Sequence, residues 1–176
     1  MKTIRTSVRW TLSIGAALLA TSGTADIPSA ANACVSDLVE TTPSSDFTAL
    51  EGGAVVRHET TGLEWRRCTE GMSWTGTGCT GSATTWTWQG ALQHAEAVSG
   101  WRLPNINELL SIVEECRVNP AVNQHVFPNT PASFFFWSAS PSVGLSGGAW
   151  GVTFSTGFGG YSKSANDRVR LVRGGH

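Results

Sequence analysis

The sequence has no apolar run long enough to span a bilayer, which takes roughly 20 consecutive apolar residues. The stretch from Trp10 through Leu18, Leu19 and Ala20 is shorter, and it follows the cations Lys2, Arg5 and Arg9. A charged lead and a short apolar region describe a secretory signal peptide, expected over residues 1–25 with Gly23 and Ala25 as the small residues before the cut. Cleavage after Ala33 would satisfy the same rule through Ala31 and leave Cys34 first, but Ala31-Asn32-Ala33 lacks the leucine-like residue of a lipoprotein signal. The expected product is exported, periplasmic or extracellular, associated with the cell surface and without a membrane span.

Positive charge is scarce as well. Twelve Lys and Arg stand against thirteen Asp and Glu, and Lys2, Arg5 and Arg9 leave with the signal, so nine remain against thirteen, a formal charge of −4. That argues against general nucleic-acid binding. The cations that remain are unevenly placed: Lys163, Arg168, Arg170 and Arg173 share one segment with Asp167 alone. Such a strip on an acidic protein can select an anionic ligand.

Catalytic signatures are missing too. His58-Glu59 opens like a zinc-protease helix motif, but Gly62 stands where the second histidine is required. No Gly-x-Ser-x-Gly elbow surrounds a serine, and no Gly-rich phosphate loop precedes a helix. His94 on the outer side of an expected helix, His125 in a loop and His176 at the terminus all read as solvated. Glu114 and Glu115 are adjacent, so they point to different faces of a helix. The expectation is a protein that is not an enzyme, with no catalytic residue, no metal and no cofactor. No Cys-x-x-Cys pair exists and the histidines lie far from the cysteines, which removes the usual zinc arrangement. Cys34, Cys68, Cys79 and Cys116 in an oxidising compartment suggest two disulfides instead. Of the three connectivities, the favoured one joins Cys68 to Cys79 around the Gly- and Thr-rich loop TEGMSWTGTG, and Cys34 to Cys116 to tie down the N-terminal segment.

What is present is one domain's worth of patterned chain. Residues 26–46, rich in Ser, Thr, Pro and Ala, are expected to lie extended over the surface, and the ordered domain covers 47–176. AVVRHETTGLEW reads as a hairpin turning at Gly62. Thr87 caps a helix with Trp88, Ala91, Leu92 and Ala95 on one face, ended by Gly100. In GWRLPNINELL, Pro104 keeps the chain extended, and Asn105 with Glu108 makes a capping box for a second helix through Ile106, Leu109, Leu110 and Val113 to Cys116. NPAVNQHVFPNTPAS is a surface loop pinned by Val126 and Phe127. FFFWSAS, AWGVTFS and RVRLVR then form an antiparallel meander, connected by the loops PSVGLSGG and TGFGGYSKSAND. Strands at both ends with two helices between them give an α+β domain.

Seven tryptophans follow the signal, more than core filling requires. Trp65, Trp88, Trp101, Trp137 and Trp150 sit in patterned elements and are expected in the core with Leu109. Trp74 and Trp86 lie in or beside the cysteine loop, where exposed rings can stack on a sugar or a partner.

The segments TGLEWRRC, GWRLPNINELLSIV, NPAVNQHVFPNTPASFFFWSAS, AWGVTFSTG and VRLVRG, in this order, resemble the family named after the C-terminal domain of the Legionella collagen-like adhesin, from about Phe47 to Gly174. The resemblance implies an exported bacterial module with a fold akin to C-type lectin-like domains and the formylglycine-generating-enzyme superfamily. It also implies an association with sulfated glycosaminoglycans and with trimers. This chain departs from that pattern in having no Gly-X-Y collagen stalk. It also lacks the Glu-Pro-Asn and Trp-Asn-Asp calcium signatures of C-type lectins, since Asn166-Asp167 has no Trp before it. The family has no catalytic residues to carry over. Arg173, on the Val169 and Leu171 side of its strand, is expected half-buried against Glu64 or Glu108. Two functions follow as expectations. The first is a non-catalytic adhesion module for a glycan or an anionic surface polymer of the glycosaminoglycan kind. Lys163, Arg168 and Arg170 would supply charge, and Trp74, Trp86 and Tyr161 would stack. The second is a structural subunit of an extracellular, pilus-like filament that associates with itself or other surface proteins through an apolar patch at FFFW.

Overall fold

β1 (Phe47–Leu50), β2 (Val55–His58) and β3 (Leu63–Arg66) form an antiparallel meander whose second turn is the hairpin expected from AVVRHETTGLEW. Gly62 makes that turn at φ 68°, a left-handed conformation that costs a residue without a Cβ little. β4 (Ser73–Trp74) and β5 (Cys79–Thr80) are the arms of a small loop closed by the Cys68–Cys79 disulfide. Two helices follow, α1 (Trp88–Ala97) and α2 (Ile106–Leu110), and then a three-stranded antiparallel sheet of β6 (Phe135–Pro141), β7 (Gly148–Thr153) and β8 (Gly157–Ser162). The last strand, β9 (Val172–Gly174), returns to β3 and completes a first sheet in the order β1-β2-β3-β9. This computed structural model describes residues 33–35, 37–155 and 157–175, so the expected signal segment and His176 lie outside the described residues. Among the described residues no helix is long and apolar enough to cross a membrane.

Two apolar clusters flank the second sheet, and the alternation of its strands distributes side chains between them. Phe136, Val152 and Phe154 join Val56, Leu63, Trp65, Val172 and the α2 residue Leu109 in one cluster. Phe135, Trp137 and Ala149 join the α1 residues Ala91 and Ala95, with Leu103, Val169 and Leu171, in the other. A strand covered on both faces reads as a continuous apolar run, which is why FFFW is a core strand and not an adhesive patch. Phe135, Phe136 and Trp137 are buried, and only Phe134, at 41% exposure, reaches solvent.

Local signals explain both helices. The Thr87 side chain accepts from the Gly90 amide at the start of α1. Asn105 and Glu108 close the capping box of α2 from both directions. α1 covers all of its periodic positions, whereas α2 ends earlier than its periodicity predicts. α1 stops at Ala97, with Gly100 at φ 78° turning the following segment. α2 stops at Leu110, because Ser111 donates its amide to Asn107 and Glu108 and its hydroxyl back to Glu108, and Glu114 turns inward. The carboxylate of Glu114 accepts the amides of Thr41, Thr42 and Cys116 and the hydroxyls of both threonines. With the Cys34–Cys116 disulfide beside it, this buried anion staples the N-terminal segment to the domain.

The C-terminal part departs from the expected meander. GFGGYS, expected as loop, is the edge strand β8, and RVRLVR does not form one strand. Arg168 bridges to Phe136 of the second sheet, while Val172 pairs with Trp65 and bridges to Arg102. The segment crosses from one sheet to the other, and its alternation is lost because Val169, Arg170, Leu171 and Val172 are all buried. Of the expected core, Trp65, Leu109 and Trp137 are fully buried. Trp88 and Trp101 are half-exposed at the margin of the second cluster. Trp150 lies outside both clusters, since Gly160 opposite it on β8 has no side chain to cover it, and its neighbour is the exposed Phe158, 6.0 Å away between ring centres. Arg173 is half-buried and pairs with Glu64, as expected, and also with Glu51, at the edge of the core and not inside it.

Candidate binding cleft

The loop closed by Cys68–Cys79 contributes Cys68, Glu70, Met72 and Trp74 to an open cleft of about 220 Å³. The facing wall comes from the β1–β2 turn (Glu51, Ala54), from Val55 and Arg66 on β2 and β3, and from Trp101 after α1. The volume is below the roughly 300–1,000 Å³ of sites that enclose a whole drug-sized molecule, so the cleft suits one ring of a longer ligand.

Both indoles are held rigid. Trp74 donates Nε1–H to the Gly52 carbonyl at 3.0 Å, and the Arg67 guanidinium stacks on its ring at 4.1 Å. Gly53 lets the ring approach the backbone closely, since a Cβ there would lie 3.2 Å from it. Trp101 carries the guanidinium groups of Arg66 at 5.0 Å and Arg173 at 4.5 Å. Rings fixed by cation–π stacking lose little rotamer freedom on binding, which favours affinity.

An ordered array of charge lies along the wall. Arg66 Nη1 donates to both oxygens of Glu70 at 3.1 and 3.2 Å, and His94 Nε2 lies 2.9 Å from Glu70 Oε2. His94 stacks on Trp86 with ring centres 4.5 Å apart, so it is half-buried and partnered where the sequence suggested solvation. Arg173 Nε reaches Glu64 at 2.7 Å and its Nη2 reaches Glu51 at 2.6 Å. Glu108, the other partner expected for Arg173, is bound bidentately by Arg102.

Arg170 supports this wall from inside. It is fully buried, donates to the Arg66 and Arg67 carbonyls and to Thr130 Oγ1, and stacks on Phe127. Burial pushes its pKa down to about 9, opposed by the charge of Glu70, and it stays cationic at neutral pH. Arg170 is therefore a bracket for the backbone that carries Arg66 and Arg67, and it cannot contact a ligand.

The other residues expected to bind do not converge. Arg168 donates to the Ala83 carbonyl and stacks on Phe134 at 4.0 Å. Lys163 lies over Trp88 at 4.4 Å, in a separate depression with Thr87, Gln89 and Ser164. Tyr161 is exposed on β8 and stacks on Phe135, and Trp86 is occupied by His94. Of the six, only Trp74 lines the cleft. Arg66, Glu51, Glu70, His94 and Trp101 escaped the sequence reading as site residues. The 66–70 spacing of Arg and Glu was the one available hint, and nothing local joins it to residue 94 or 101.

Among the described residues, the one group with metal-ligand spacing is Cys34, Glu114 and Cys116. Its sulfurs form the disulfide and its carboxylate is taken by amides and hydroxyls, so it offers no ligand set. Asp167 is buried, and burial pushes its carboxyl up in opposition to the Phe135 amide and the Arg168 charge.

Residues 54–173, more than half of the chain, match the family described as Lcl C-terminal domain. The chain belongs to the Lcl C-terminal domain family. The match spans every residue of the cleft except Glu51. No curated protein matches the chain in sequence. The disulfides of this Lcl C-terminal domain, joined as expected, fit an oxidising extracellular or periplasmic compartment.

Proposed function

We propose that the protein is a secreted, non-catalytic adhesion module that binds a surface saccharide in the cleft between Trp74 and Trp101. The observation that carries this reading is the pairing of two immobilised indoles with planar charged groups in one open groove. Aromatic faces match the C–H faces of sugar rings, while carboxylate and guanidinium groups meet hydroxyls. An open groove of single-ring size suits a polymer that enters from one side and leaves by the other. Membership of a family named after a surface adhesin supports the same reading. A non-catalytic role is supported by the pairing of the carboxylates. Cleavage of a glycosidic bond needs a carboxylic acid free to protonate the leaving oxygen, and here Glu70 is held by Arg66 and His94, and Glu51 by Arg173. The test is a glycan array probed with the wild type and with Trp74→Ala. The wild type is expected to give discrete saccharide hits that Trp74→Ala loses by about 10-fold in affinity, the usual cost of removing a central aromatic contact. Hits that Trp74→Ala retains would refute the cleft.

A further inference from the structure

The charge class of the ligand follows from how the cleft pairs its own charges, granting the cleft itself as proposed above. We infer that it takes an uncharged saccharide unit, held through hydroxyl groups, and discriminates against sulfated or carboxylated chains. Glu51 and Glu70 both line the groove. The arginines of the wall are already paired, Arg66 with Glu70 and Arg173 with Glu51 and Glu64, and the His94 ring lies against Glu70 Oε2. Arg67, stacked on Trp74, donates to the carbonyls of Gly53, His125 and Val126. Apart from Arg173, the basic strip of the C-terminal segment contributes nothing here, since Arg170 is buried and Arg168 and Lys163 stack on other rings.

A sulfate entering this groove meets two carboxylates. To reach a cation it must share Arg66 with Glu70 or Arg173 with Glu51 and Glu64, and it then stands against carboxylates that already neutralise that cation. Hydroxyls make no such demand. One can donate to Glu51 Oε2, which accepts no hydrogen bond among the described residues, since Arg173 binds Oε1. Another can accept from the Arg66 guanidinium, which binds Glu70 through Nη1 alone. The same paired charges that repel an anion therefore present a donor and an acceptor to a neutral sugar.

The test is titration calorimetry with uncharged hexasaccharides of glucose, mannose, galactose and N-acetylglucosamine, and with a heparin hexasaccharide, with the folding of each variant checked by its thermal midpoint. At least one uncharged probe is expected to bind, with an affinity that changes less than about 2-fold between about 50 and about 500 mM NaCl. Trp74→Ala is expected to weaken that probe about 10-fold, and heparin is expected not to compete. Glu51→Gln, at an exposed position, is expected to weaken the uncharged probe by about 3-fold or more, since the probe loses a charged acceptor for one hydroxyl, and to admit weak, salt-sensitive heparin binding. Heparin binding by the wild type that is salt-sensitive and lost in Trp74→Ala would overturn the charge class and leave the cleft standing. Binding of any probe that Trp74→Ala leaves intact, or no binding at all, would overturn the cleft and this inference with it. If Trp74→Ala does not fold, a Glu51→Gln variant that leaves heparin excluded overturns the inference by itself.

Discussion

His58 is buried on the inner side of β2, stacked on Phe47 with ring centres 4.6 Å apart and bonded to Thr61 Oγ1. Burial lowers its pKa below the ordinary 6.5, by more than the nearby charges of Asp46 and Glu59 raise it. The unfolded chain therefore takes up the proton first, and stability is lost as pH falls below about 6.5 and is complete above it. The wild-type thermal midpoint is expected to drop between about pH 7.5 and about pH 5.5, and His58→Phe is expected to flatten that drop. An equal drop in the variant would show that another group is responsible. Glu114 and Glu108 act in a more acid window. Burial raises both, but the amides of Thr41, Thr42 and Cys116 outweigh it for Glu114, as Arg102 and the Asn105 amide do for Glu108, so their stabilisation is lost only as pH falls below the ordinary 4.5. At this scale the sequence told little about charge. RVRLVR alternates cations with apolar residues as a half-exposed strand would, yet Arg170 is buried because the Arg66 and Arg67 carbonyls, about a hundred residues away, await its donors.

Elements with their own local chemistry were legible. The hairpin turn at Gly62, the Thr87 cap of α1 and the Asn105–Glu108 box of α2 each use groups within a few residues of one another, so short-range pattern locates them. β8 was not legible, because three of its six residues are glycine and its pairing is supplied wholly by β7. The end of α2 was hidden for a similar reason: the apolar spacing continues to Cys116, and the break depends on Glu114 meeting a segment more than seventy residues upstream. α2 has only five residues, too few to persist without its cap. Asn105→Ala is expected to lower the unfolding free energy by about 1 kcal/mol, measured in urea with an unchanged slope against denaturant. A loss within error of zero would mean that tertiary packing alone holds the helix.

For the whole molecule, sequence reasoning recovered the α+β class and both disulfides but not the way distant segments assemble the cleft. Glu51 and Ala54, Arg66, Glu70 and Trp74, and Trp101 come from separate stretches. They meet because β9 closes the first sheet beside β3, the Cys68–Cys79 loop folds over that sheet, and the Trp101 segment bridges to β9 at Val172. The aromatic excess was visible in composition, but which rings line the cleft was not, since Trp74 and Trp101 are brought together by segments far apart in sequence. The assembled cleft is the central claim. Its most direct test follows the indole Nε1–H resonances in nuclear magnetic resonance spectra during titration with a saccharide that the array selects. The signals of Trp74 and Trp101 are expected to shift and saturate together, while those of Trp88 and Trp137 stay fixed. Shifts confined to Trp88, beside Lys163, with Trp74 and Trp101 unmoved, would contradict it.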